Sequence, residues 1–337
     1  MGAGRAQIRP AAQGSPHFAD DSFRNTEPSH VLAPGDLTAW SMIPALIRHR
    51  GLGKPNGAIP LISTPPAAQA GELDITWLGH ATTLIEIDGR YLLTDPVWSE
   101  RVSPSETIGP ARLHPMPIAL DDLPAVDAIV ISHDHYDHLD LPTVRHLSHS
   151  QTAPFVVPLG IGAHLRGWDV PADRIIELDW DAQTTIGELT LTCAESRHFS
   201  GRGLRRNSTQ WCSWAIAGPR HRVYFGGDTG YTAAFTGIGQ RYGPFDITIL
   251  PIGAYGDQWP DIHLNPEEAV QAHRDLQGDL FVPIHWATFD LALHTWAEPV
   301  ERLLAAGTDL RIAVPRPGER VIADDAPLPD GWWKSLE

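Results

Sequence analysis

The 337-residue chain carries 41 acidic against 25 basic side chains, a formal net charge of −16, with 42% hydrophobic and 20% charged residues. That composition supplies a full core and excludes disorder throughout, and the acidic field repels polyanions, so neither nucleic acid nor an anionic membrane surface is expected as a partner. Two cysteines, Cys193 and Cys212, are too few for a disulfide framework and lack the spacing of a thiolate zinc site; both read as buried small hydrophobes.

In chain order, residues 1 to about 35 are rich in Gly, Pro, Ala and Ser and read as a mobile arm. Within it "DSFRNTEP" (21–28) is the exception, because Phe23 and Arg24 suit docking onto the body. The start has no apolar leader core, and no run of about eighteen apolar residues follows, so a soluble cytoplasmic protein is expected. Over 36–50, Leu37, Trp40, Ile43 and Ile47 fall at helical spacing behind Asp36, with Pro44 dividing the run. Ending in Arg48, His49 and Arg50, this stripe resembles an interfacial helix that would allow peripheral membrane contact. Covering the main domain is the commoner use of such a stripe. Residues 1–73 are therefore read as an arm and helical lead-in packing on the main domain, and 74–337 as that main domain.

From Asp74 apolar and polar residues alternate around the Asp88-Gly89 turn, the pattern of a hairpin. "VDAIVIS" (126–132) is nearly all apolar, as for a strand buried on both faces, and "LDLPTVRHL" reads as the helix after it. Short strands fit "FVVPLG", "RIIELD", "LTLTCAES" and "DITILPIG"; "NPEEAVQAHRDL" is a helix opened by Pro266, and "LFVPIHWATF" is a further strand. Strand and helix recur, so the class is α/β. "RVYFGGDTG" (222–230) echoes "RYLLTDPVW" (90–98), arginine then strand then acid, which hints at two similar halves.

"ISHDHYDHLD" (131–140) places three histidines and three aspartates at the carboxyl end of a buried strand, where α/β proteins carry their sites. His133 and His135, two apart in extended chain, point the same way and can grip one cation; Asp137 and His138 follow, redirected by the turn. Imidazole with carboxylate favours zinc or a similar borderline metal over calcium. One loop cannot close the coordination, and His198, Asp228 and His285 stand at later strand ends as further candidates.

His-x-His-x-Asp-His followed by His198, Asp228 and His285 resembles the metallo-β-lactamase fold hydrolases over about residues 74–290. The resemblance implies a four-layer αββα sandwich, with His133, His135 and His198 on one metal, Asp137, His138 and His285 on the other, and Asp228 bridging. Two zinc ions, with manganese or iron as alternatives, would turn a bridging water toward hydroxide and leave a net positive centre that draws in an anionic ester. "FRN" (23–25), Tyr136 within "HDHYDH", and "HLNPEEAV" (263–270) are similar to the N-acyl-phosphatidylethanolamine phospholipase D subfamily. That likeness implies a phosphodiesterase acting on a small-molecule or lipid-like phosphodiester, the hydroxide attacking phosphorus. Tyr136 and His263 would contact the substrate, and His263 would pass a proton to the leaving alkoxide; the plainer role for His263 is packing beside its helix. Homodimers are common among such relatives, and nothing in the chain marks one.

Two other functions fit the motif: a lactonase of the ascorbate-6-phosphate lactonase type, and a non-catalytic metal-binding protein. His80 reads as a cleft or supporting residue, Asp95 as a holder of the metal loop, and Trp259, Trp286 and Phe289 as either an apolar wall or core. His146, His149, His164, His221 and His273 lack neighbours at ligand spacing and read as surface or core filler.

Overall fold

The computed structural model describes residues 2–30, 51–203 and 205–337; the helix expected over 36–50 lies outside them. Residues 2–30 are not the mobile arm that their composition suggests. They form helix α1 (Arg5–Ala12) and a small hairpin of β1 (Phe18–Ala19) and β2 (Ser22–Phe23). Ile8, Ala12 and Phe23 are buried, so a few apolar anchors offset the ordering cost that Gly and Pro content alone would leave unmet. Arg24 does not dock: it is exposed and pairs with Asp20.

The first large sheet contains β3 (Leu73–Gly79), β4 (Thr82–Ile87), β5 (Arg90–Thr94), β6 (Ala128–Val130), β7 (Phe155–Pro158) and β8 (Ile175–Leu178). Helices α2 (Leu141–Ser150) and α3 (Ile161–Gly167) follow β6 and β7. The second sheet contains β9 (Gln183–Ile186), β10 (Leu189–Ala194), β11 (Ser213–Ala217), β12 (Arg222–Phe225), β13 (Phe245–Pro251), β14 (Gly278–Ile284) and β15 (Arg311–Ile312). It carries α4 (Ala234–Tyr242), α5 (Pro266–Asp275) and α6 (Glu298–Ala306). The last strand, β16 (Arg320–Ile322), returns to pair with β3, so the orders are β16-β3-β4-β5-β6-β7-β8 and β15-β14-β13-β12-β11-β10-β9. This is the αββα sandwich that the motifs imply.

Residue alternation explains the layers. In β4 to β7, Ile85, Ile87, Leu92, Ala128, Val130 and Val156 join the core shared with the second sheet. Their neighbours Leu84, Leu93, Ile129, Phe155 and Val157 pack instead with Val144 and Leu147 of α2 and Ile161 and Leu165 of α3. Each buried aliphatic side chain contributes about 1.5–3 kcal/mol, enough for the sandwich to tolerate costly polar groups at its strand ends. Cys193 and Cys212 lie in the inter-sheet core as free thiols.

Local signals placed the elements well. Asp88 and Gly89 both adopt positive φ (48° and 75°), as a two-residue hairpin turn requires. Asp140 caps α2 by accepting from the Thr143 amide, and Asn265 with Glu268 forms a capping box on α5 ahead of Pro266. In each large sheet the middle strand, β5 or β12, pairs antiparallel with the strand before it and parallel with the one after. That shared pattern is the structural counterpart of the sequence echo.

Candidate metal centre

The polar residues singled out in the sequence gather where strands of both sheets end. His80 follows β3, Asp95 follows β5, and the 133–138 loop follows β6; His198, Asp228, His263 and His285 follow β10, β12, β13 and β14. Two groups form. His133, His135, His198 and Asp228 have donor atoms within 4.8 Å of one another, as do His80, Asp137, His138 and His285. Asp228 stands between the groups: its Oδ2 is 3.8 Å from His133 Nε2, 3.7 Å from His198 Nε2 and 3.2 Å from His138 Nε2, while Oδ1 is 3.0 Å from His285 Nε2.

Outer contacts aim the rings. His138 Nδ1 donates to Asp95 Oδ2 at 2.7 Å, and His198 Nδ1 donates to the Ile262 carbonyl at 2.8 Å, so each presents Nε2 to the centre. Asp95 also accepts from the Ser132 amide (2.7 Å) and hydroxyl (2.6 Å), which ties the start of the metal loop to the end of β5. His80 Nε2 lies 2.9 Å from Asp137 Oδ2, and its ring centroid is 3.9 Å from that of His285.

The donor set fits a cation. His138 Nε2, both ring nitrogens of His285, Asp228 Oδ1 and His263 Nδ1 are buried with no hydrogen-bond partner among the described residues. One such orphan costs about 1–3 kcal/mol, and several converging on one point are accounted for by bound positive charge. Nitrogen and carboxylate donors without a thiolate suit zinc, manganese or iron.

Burial would raise the Asp228 carboxyl, but the imidazoles of His138 and His285 hold it well below the usual carboxylate range. Asp137 is held low in the same way, against burial, by His138, His285 and His80. Burial, aided by neighbouring imidazoles, pushes His133 and His198 well below the ordinary histidine value. For His285 burial is overcome by Asp228 and Asp137, which push it up to about 9. The carboxylates are therefore ionised and most imidazoles neutral at neutral pH, the forms a cation needs, while His138, held against burial well above the ordinary histidine value by Asp228 and Asp137, must like His285 give up a proton to it.

A cavity of 230 Å³ lies over the centre, lined by His135, Asp137, Phe199, Asp228, Trp259, His263 and His285 among others. His263 reaches it, with Nδ1 4.0 Å from Asp228 Oδ2; burial pushes its pKa down to about 4, so it is neutral there. Tyr136 does not line this cavity: its hydroxyl donates to the Arg202 carbonyl at 3.0 Å and its ring lies under the Arg202 guanidinium. Of the three aromatics, only Trp259 lines the cavity. Phe289 is buried against Val97 and Val102, and Trp286 is buried in a cluster with Trp77, Trp296, Trp332 and Trp333. Among the histidines set aside, His146, His164 and His221 do have carboxylate partners, Asp121 at 2.9 Å, Asp134 at 3.4 Å and Asp88 at 2.7 Å, all distant in sequence.

Two packed sheets with a His/Asp cluster across their strand ends define a metal-dependent hydrolase. A family model described as the β-lactamase superfamily domain matches residues 90–286. The chain is 52% identical over 340 residues to an uncharacterised protein of Mycobacterium tuberculosis, covering 99% of this chain and 91% of that one. It is 38% identical over 241 residues to N-acyl-phosphatidylethanolamine-hydrolyzing phospholipase D 1 of Caenorhabditis elegans, covering 68% of each. Among solved structures, isothiocyanate hydrolase from Delia radicum gut bacteria superposes with a TM-score of 0.60 at 22% identity, covering 74% of this chain and 98% of that one, a likeness of fold. The chain belongs to the metallo-β-lactamase superfamily.

Proposed function

We propose that the protein hydrolyses a phosphodiester, small or lipid-like, with two zinc ions held by the seven side chains His133, His135, Asp137, His138, His198, Asp228 and His285. The observation that carries the reading is Asp228, within 4 Å of imidazoles from both donor groups. The relative named for phospholipase D activity supports the phosphodiester class. When bound, a cation pair polarises the phosphoryl group and lowers the pKa of water.

The chain's own residues do the rest. His80 fixes the carboxylate of Asp137, and Asp95 fixes the ring of His138, so neither group reorganises as charge develops. His263, neutral at working pH, contributes an N–H hydrogen bond to a phosphoryl or departing oxygen rather than a proton from imidazolium. Phe199, Trp259 and Leu291 give the cavity an apolar side that limits water around the ester. Tyr136 acts on the substrate only indirectly, by holding the Arg202 carbonyl.

Metal analysis together with a panel of phosphodiesters and lactones, assayed with defined metals, tests this. Two equivalents of metal and phosphodiester turnover are expected. Lactone opening without phosphodiester turnover, or a protein that takes up no metal, rejects it.

A further inference from the structure

We propose that Asn25 is a positioning residue for His198, so that the N-terminal segment forms part of the centre; this rests on His198 holding a cation as proposed above. The amide of Asn25 satisfies both peptide groups of His198 from 173 positions away. Its Nδ2 donates to the His198 carbonyl at 2.8 Å, and its Oδ1 accepts from the His198 amide at 3.2 Å. The same Oδ1 accepts from the indole Nε1 of Trp211 at 3.0 Å, which fixes the amide itself.

His198 needs such a brace. The ladder of β10 ends at Ala194, and only an isolated bridge between Arg197 and Gly230 follows. The Asn25 amide makes the pair of bonds that an adjacent strand would make. With both peptide groups held and Nδ1 given to the Ile262 carbonyl, Nε2 is the one polar atom of His198 left to face the centre, 3.3 Å from His135 Nδ1.

The residues after Asn25 fasten the neighbouring loops. Glu27 accepts from the Thr232 hydroxyl and the Ala233 amide, beyond Asp228. Arg197 donates to Ser29 Oγ, and the His30 amide donates to Asp261, two residues before His263. One short stretch thus crosses the loops that bring His198, Asp228 and His263. Simple attachment of this segment does not require Asn25, because Phe23 is buried and pairs with Phe18 in the β1–β2 hairpin.

The test strips metal from the full-length protein and titrates zinc against a chromogenic chelator for the parent, Asn25→Ala, Asn25→Asp, Thr26→Val and His198→Ala. Thermal midpoints of the stripped proteins are recorded alongside. Both Asn25 variants are expected to weaken one of the two zinc equivalents by about 10–100-fold, the usual effect of losing a partner that orients a ligand. The other equivalent stays at parental affinity, and Thr26→Val, which removes an adjacent contact to Glu195, binds as the parent does. Asn25→Asp keeps the acceptor and the size of the side chain while losing the donor, so it carries the test if the alanine variant does not fold. Parental affinity at both equivalents, or an equal loss in Thr26→Val, overturns the proposal. Retention of both equivalents by His198→Ala rejects instead the assignment of His198 as a ligand.

Discussion

Asp95 and Asp228 stand just beyond matching middle strands of the two sheets, yet their surroundings differ. Asp95 is saturated by the Ser132 amide, the Ser132 hydroxyl and His138, whereas Asp228 Oδ1 has no hydrogen-bond partner among the described residues and faces imidazole nitrogens, His285 Nε2 at 3.0 Å among them. One acid builds the wall and the other lines the cavity. The halves also deliver their groups differently: the first places His133, His135, Asp137 and His138 on one loop, while the second supplies single residues from separate strand ends. An acid at a strand end is thus not functional by position; what matters is whether nearby donors have already used its oxygens.

The largest expected effect comes from Asp228→Asn. Phosphodiester turnover should fall by on the order of 10³-fold or more and should not return at high metal concentration, because the carboxylate within reach of imidazoles of both donor groups is lost. His263→Ala should lower kcat by about 10²-fold at unchanged metal stoichiometry, as expected for a lost hydrogen-bond donor at the reacting oxygens. An unchanged kcat would return His263 to a packing role. Asp95→Asn should weaken one metal equivalent by about 10–100-fold, and excess metal should restore most of the turnover. If the Asp95 variant resists rescue while the Asp228 variant is rescued, the contrast between the two acids is reversed.

The last effect concerns pH. His285 is pushed up to about 9 in the metal-free protein, and against burial Asp228 and Asp137 hold His138 well above the ordinary histidine value, so a cation must displace a proton from each at any pH below about 9. Affinity for zinc, followed by chelator competition, should rise by about tenfold per pH unit or more as pH climbs toward 9. The metal-free fold behaves oppositely. A raised pKa means that the stabilisation from His285 is fully present below about 6.5 and is lost as pH climbs through about 9.

The hydrolase motif is legible because its residues lie close in sequence and interrupt an apolar run at a strand end. His198, Asp228 and His285 become legible through the order of motifs, since each follows its own strand. The partnerships His80–Asp137, Asp95–His138 and Asn25–His198 are not: they span 57, 43 and 173 positions and exist only once the strands are in register. Composition also misled over residues 2–30, where Ile8, Ala12 and Phe23 fix a segment that Gly and Pro content would leave loose. Tyr136 sits inside the motif but turns toward Arg202, because the turn after His135 sends alternate side chains to different sides.

The tryptophan cluster gives the centre an optical consequence. Trp286 directly follows His285, with its ring centroid 6.0 Å from that of Trp77 and 5.5 Å from that of Trp332. Indoles this close share their excited states, so near-ultraviolet circular dichroism registers small rotations of the peptide that carries His285, and loading of the site can be followed without an added dye.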